Sequence, residues 1–268
     1  MLPPELRAVL PDATAAAWPK VVAALPAGAY LADGTALAVH LGHRVSRDLD
    51  VFVDRPFDTD RVRTALERSG DLTVTMLTDD TLNGLLDSTK VQFLEAASHQ
   101  LLDTPTVVAE MPVAGVRDLM ADKLKVVRDR GELRDYFDLM AIERAGTHRC
   151  EQGLAYYRQR YGLGPDDTSL AAIVRALGYL DDVADDPGLP VGRDVVEDYW
   201  RRRQPELATS LGSLSYTHGV GHDLPTASPP RPLSSQPLPP STPCGAWMPR
   251  ARARCIRPPR HRGGHRSR

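Results

Sequence analysis

The chain has 268 residues, of which 42% are apolar and 25% charged, ordinary values for a globular protein with material for one large domain or two small ones. Its net charge of −2 hides a division: residues 224–268 hold nine arginines and no acid, which leaves the preceding body near −11 and the tail near +9. No apolar run approaches the roughly 18 residues that a membrane span needs, and Cys150, Cys244 and Cys255 fit neither a disulfide framework nor a zinc pattern.

The start "MLPPELRAVLPDATAAAWPK" lacks the basic opening of a secretory leader, so the expected setting is a reducing cytoplasm without membrane contact. Residues 18–25 read as a helix with Pro19 in its first turn, and "AYLAD" as a short strand before Gly34. A helix over 35–41 and a strand over 49–53 follow. "DTDRVRTALERSG" is an amphipathic helix with Asp58 or Thr59 as N-cap and Gly70 as its stop. "LTVTMLT" and "STKVQFLEA" alternate as strands do. Helices over 116–128 and 132–143 come next, separated by Gly131, and "CEQGLAYYRQRYG", "SLAAIVRALGYLDDVA" and "RDVVEDYWRRRQPELATSLG" are helical.

Three zones result: a mixed catalytic unit over 1–145, a helical region over 146–218, and a Pro/Arg-rich tail over 219–268 that is too poor in periodic apolar residues to fold. The tail either contacts nucleic acid through its charge or has no role. The expected class is α+β, with a small mixed sheet flanked by helices and a helical C-terminal region.

Extended backbone from Asp48 to Asp54 puts Leu49, Val51 and Val53 on one face and Asp48, Asp50 and Phe52 on the other. Two carboxylates held side by side repel unless a positive charge sits between them, and Mg²⁺ suits alternating acids on a rigid strand. The plainer alternatives are solvation, or pairing with Arg44 and Arg47. Upstream, Gly34 and Thr35 stand at a strand-to-helix junction, where backbone N–H groups cradle phosphate or the Thr35 hydroxyl simply caps the helix.

In the helix from Val116, Lys123 falls within the apolar stripe of Leu119, Met120 and Val127. It needs an anion there, either nucleotide phosphate or a carboxylate such as Asp138 or Asp50, or else must snorkel out. Lys125 faces away and is solvated. Arg134 and Asp138, four residues apart, have the spacing of an intrahelical salt bridge.

"GTALAVHLGHRVSRDLDVFV" resembles the first motif of the DNA polymerase β-like nucleotidyltransferases, and more narrowly the AbiEii toxin family. "DLMADKLKVVRDRGELRDYFDLMAI" is similar to that family's lysine motif and its following Arg-Asp-x-x-Asp-Leu helix. The resemblance covers about residues 28–145. It implies a minimal nucleotidyltransferase fold in which Asp48 and Asp50 bind Mg²⁺, and Asp48, Asp50, Lys123 and Asp138 are catalytic. It further implies nucleotide binding by Gly34, Thr35, Arg44, Ser46 and Lys123.

Two positions depart from the family's pattern: Asp33 stands where the family has glycine, and Gln92 occupies the strand position where many such enzymes carry a third carboxylate. The implied reaction moves a nucleotide from an NTP to an acceptor hydroxyl with loss of pyrophosphate. The resemblance points to a tRNA 3′ end as acceptor and to a toxin neutralised by a partner antitoxin. The acidic body leaves RNA binding to patches such as Arg44, Arg47, Arg128, Arg130 and 201–203. Modification of a protein hydroxyl, or a decayed module that binds nucleotide without catalysis, are the alternatives.

Overall fold

The computed structural model describes residues 2–164 and 167–217, and the tail for which the sequence predicts disorder lies outside the described residues. The chain opens with α1 (Pro4–Ala8) and α2 (Asp12–Ala23). The second helix starts six residues before the expected position, so Pro19 stands inside it and costs one main-chain hydrogen bond. Burial of Ala17, Trp18 and Val21 offsets that loss.

Next come β1 (Ala29–Leu31), α3 (Asp33–Leu41), β2 (Leu49–Val53) and α4 (Thr59–Ser69). Asp58 caps α4 by accepting a hydrogen bond from the Arg61 N–H at 2.9 Å. The strands β3 (Leu72–Leu77), β4 (Thr81–Leu86), β5 (Thr89–Glu95), β6 (Thr106–Val108) and β7 (Met111–Val113) precede α5 (Val116–Arg130), α6 (Leu133–Arg144), α7 (Cys150–Arg160), α8 (Ser169–Leu177) and α9 (Arg193–Thr217).

The seven strands form one mixed sheet in the order β3-β4-β5-β2-β1-β7-β6. Pairing is parallel for β2 with β5 and for β1 with β7, and antiparallel elsewhere. This is the α+β class that the sequence predicts. Asn83 and Gly84 interrupt the apolar pattern of β4, so its local sequence does not announce a strand. Gly84 is required there, since a Cβ would sit 2.8 Å from the Thr73 carbonyl oxygen beside the bulge at Val74 and Met76.

Side-chain alternation in β2 is as expected. Leu49, Val51 and Val53 are fully buried, while Phe52, on the opposite face, meets the rings of Tyr30 and His99. Over that face α7 delivers the buried Arg160, whose guanidinium donates to Asp122 at 2.7 and 3.0 Å, to Asp118 at 2.5 Å and to the Tyr30 hydroxyl at 3.3 Å. Arg203 of α9 likewise grips Glu143 of α6 and Glu151 of α7. The expected boundary near residue 145 falls in the turn between α6 and α7, and one apolar core runs across it from Leu6 to Leu207.

The helix expected over 169–184 ends at Leu177 with Gly178 as its C-cap. The irregular segment that follows brings residues 186–189 to the mouth of the cavity described next. Among the described residues, no helix is long and apolar enough to cross a membrane.

Candidate active site

A cavity of about 730 Å³ opens where the N-terminus of α3, the loop between α3 and β2, and the edges of β2 and β5 meet α5 and α6. Its wall contains Gly34, Arg44, Ser46, Asp48, Asp50 and Lys123, six of the eight residues implied from the sequence. Thr35 and Asp138 lie behind that wall, buried.

The parallel register of β2 and β5 sets Asp50 directly opposite Gln92, and Gln92 also faces the cavity, as the sequence suggests. Glu95 pairs with Val53 and belongs to the other face. Asp48 is half-buried and pairs loosely with Lys90 at 3.7 Å.

Asp50 is buried, and among the described residues no cation pairs with its carboxylate. Burial first, then the charges of Asp33 and Asp48, raise its pKa to about 7 despite Lys90 and Lys123 nearby. A deeply buried acid with no partner, next to a second carboxylate on a cavity wall, has the chemistry of a hard-cation site. No group of three metal-ligating side chains exists among the described residues, so any cation here keeps positions for oxygens other than the protein's.

The loop carrying Arg44, Ser46 and Arg47 is pinned from three sides. The Thr35 hydroxyl donates to the Asp48 carbonyl at 2.5 Å and lies 2.8 Å from the Ser46 hydroxyl. The Ser46 N–H bonds the Val9 carbonyl at 2.9 Å, and the Thr14 hydroxyl bonds the Arg47 carbonyl at 2.8 Å. Thr35 therefore fixes the loop and does not cap α3, whose N-cap Ala32 has no side-chain cap. Gly34 has a steric reason to be glycine, because a Cβ there would lie 2.4 Å from Nη2 of Arg44.

Arg44 grips Asp138 in a two-pronged pair, Nε to Oδ1 at 2.6 Å and Nη2 to Oδ2 at 2.8 Å. His43 Nε2 sits 2.8 Å from Oδ1 of Asp138, and its ring stacks on Phe137. Burial alone would raise the Asp138 pKa, but Lys123, Arg44 and His43 together hold it well below the usual carboxylate range.

The intrahelical Arg134–Asp138 bridge suggested by spacing does not form. Arg134 pairs with Glu132 at 2.6 Å, and Asp138 turns inward toward Arg44. Arg44 is thus committed to the protein and is not a free surface cation for RNA, and neither is Arg203.

Lys123 is buried, as its place in the apolar stripe predicts. Its ammonium bonds Asp135 at 2.7 Å, Asp138 at 3.0 Å and Asp33. Burial would depress its pKa, but the three carboxylates raise it well above the ordinary value, so it stays charged. Asp135 also accepts from the Glu132 N–H at 2.9 Å as part of a capping box at the start of α6.

The sequence did not single out the roles of Asp33, Asp135 and His43 in this network, nor Lys90 or residues 186–189 as cavity wall. For Lys90 the period-two alternation with Gln92 was an available signal, whereas nothing local to 186–189 points to the cavity. Among the described residues, Arg47 and Arg130 make no ion pair, and both face the cavity.

A family model described as nucleotidyl transferase AbiEii toxin, type IV toxin–antitoxin system, matches residues 30–209. An uncharacterized protein of Aquifex aeolicus (strain VF5) is 29% identical over 175 residues, which cover 64% of this chain and 80% of that protein. JHP933 of Helicobacter pylori is similar at 17% identity with a TM-score of 0.47, over 81% of this chain and 98% of that one. MenT4, a nucleotidyltransferase toxin of Mycobacterium tuberculosis H37Rv, is similar at 17% identity with a TM-score of 0.46, over 72% of this chain and 82% of that one.

Proposed function

The chain belongs to the AbiEii family of nucleotidyltransferase toxins of type IV toxin–antitoxin systems, and from that premise we propose which residues of the cavity do the work and on what acceptor. The reading rests chiefly on Asp50, a buried carboxyl that has no cationic partner among the described residues and lies beside Asp48, on a wall otherwise rich in lysine and arginine.

Asp48 and Asp50 fit a divalent cation, and Mg²⁺ is the cation proposed. When bound, Mg²⁺ would neutralise charge developing on the phosphates. The triphosphate of an NTP lies against Gly34 and Ser46 at the start of α3, where backbone N–H groups and the helix dipole favour anions. Lys123 supplies a fixed positive charge from below.

Arg44 adds a second charge that Asp138 and His43 keep from swinging away, so Asp138 acts as a positioning residue rather than as a base at the reacting hydroxyl. Acceleration then comes from positioning and from charges fixed in advance of the transition state. The acceptor hydroxyl attacks the α-phosphorus and gives up its proton to solvent, the bond from the α-phosphorus to the bridging oxygen breaks, and pyrophosphate leaves.

The proposed acceptor is a tRNA 3′ end in the cytoplasm, with its phosphates met by Arg47 and Arg130, the two cations of the wall that carry no ion pair among the described residues. A partner antitoxin restrains the activity. Purified protein incubated with Mg²⁺, each α-labelled NTP in turn, total RNA and protein extract tests this reading. Label on RNA of tRNA size, absent with Asp50→Ala, is expected. Label on protein keeps the chemistry and overturns the acceptor. No label together with no NTP binding overturns the enzyme reading in favour of a non-catalytic module.

A further inference from the structure

Three carboxylates surround one ammonium at Lys123, which hydrogen-bonds Asp135 at 2.7 Å and forms ion pairs with Asp138 at 3.0 Å and with Asp33, so its charge is already met on three sides. A phosphate that reaches Lys123 has to displace one of them. Asp135 is tied down by the Glu132 N–H, and Asp138 by Arg44 and His43. Asp33 makes no other side-chain bond among the described residues, and its side chain is 43% exposed, against 7% for Asp135 and none for Asp138.

Asp33 also stands at the first residue of α3, directly before Gly34, with its backbone in the left-handed region at φ 54°. Its side chain lines the cavity beside Gly34 and reaches Lys123, so it occupies space that a phosphate at the start of α3 would need.

We propose that Asp33 is a built-in competitor for the phosphate subsite: it occupies Lys123 when no nucleotide is bound, is expelled by the incoming triphosphate, and so sets nucleotide affinity. This inference rests on the reading of the cavity as an NTP site. Asp33 then swings into solvent, which its exposure permits, while Asp135 and Asp138 keep Lys123 in place.

Binding of inorganic triphosphate with Mg²⁺, measured by calorimetry, tests the exchange separately from any transfer reaction. Asp33→Asn keeps the shape and tolerates the left-handed backbone but removes the competing charge, and Asp33→Glu keeps the charge. Tightening of about tenfold is expected for Asp33→Asn, with Asp33→Glu within about threefold of the parent. An Asp33→Asn protein that binds no tighter overturns the competitor role. One that binds more weakly assigns Asp33 to the ligand or the cation and overturns it as well. No binding by the parent or by Asp33→Asn overturns both the competitor and the NTP site. Tightening without nucleotide transfer to any acceptor upholds the competitor and sinks the transfer reading instead.

Discussion

Replacing Asp138 with asparagine tests the network that holds the cationic wall of the cavity. Asp138 is fully buried and accepts three hydrogen bonds, two from Arg44 and one from His43, and forms an ion pair with Lys123. Lys123 keeps Asp33 and Asp135 after the change, so the loss falls mainly on Arg44, whose side chain is only 7% exposed and loses the buried counter-ion it pairs with. Breaking a buried pair from one side costs about 3–5 kcal/mol. Against a total stability of about 5–15 kcal/mol this is large, and it corresponds to a fall in Tm of roughly 10 °C.

The double variant Asp138→Asn/Arg44→Met removes both charges and is expected to lose less than the sum of the single losses. The pH dependence has a definite sign. The Asp138 pKa is lowered on folding, so its contribution is present at all pH values above the unfolded carboxylate value near 4 and is lost only as pH falls further. Urea denaturation at pH 7 gives the free energies. An Asp138→Asn protein within 1 kcal/mol of the parent, or an additive double variant, refutes the assignment of Asp138 as the anchor of Arg44.

Asp50→Asn is expected to abolish nucleotidyl transfer and yet raise Tm in metal-free buffer at pH 8. Its raised pKa means that the unfolded chain ionises first, so stability is lost as pH climbs from about 4 to about 7 and the full penalty persists at pH 8. Added Mg²⁺ should stabilise the parent and leave Asp50→Asn unmoved in a thermal melt. Gly34→Ala forces a methyl group against Nη2 of Arg44, so a loss of about 1–3 kcal/mol and a drop in transfer of at least about tenfold are expected in paired melts and kinetics. His99 packs against Phe52 and Tyr161, and burial, helped by Arg160 and Lys125, lowers its pKa to about 4. The unfolded chain takes up a proton near pH 6.5, so stability falls between pH 6.5 and 4, and His99→Gln should flatten that slope by about 1–2 kcal/mol after solvent screening, read by melts across the range.

What was legible in the sequence is what depends on local period. Alternation placed Asp50 on the face opposite Leu49, Val51 and Val53, and placed Gln92 beside it. The helical stripe placed Lys123 inward. What was not legible depends on residues far apart in the chain. Arg44 and Asp138 are separated by 94 positions, and the local alternative, Arg134 four residues from Asp138, was satisfied by Glu132 instead. In the sequence Asp33 is only a departure from the family's glycine, and only the packing of α3 against α5 gives it Lys123 as a partner. The early start of α2 was hidden by its alanine-rich opening, which carries little periodicity, and by Pro19, which mimics a start signal.

Pyrophosphate release is the most direct measure of whether this cavity transfers nucleotides. Parent protein and the single variants Asp48→Ala and Asp50→Ala would be mixed with Mg²⁺, NTP and total RNA, and release followed with and without chelator. The account predicts release by the parent alone, dependent on both RNA and the divalent cation. Release that persists in both variants would place the chemistry elsewhere in the molecule and contradict the account.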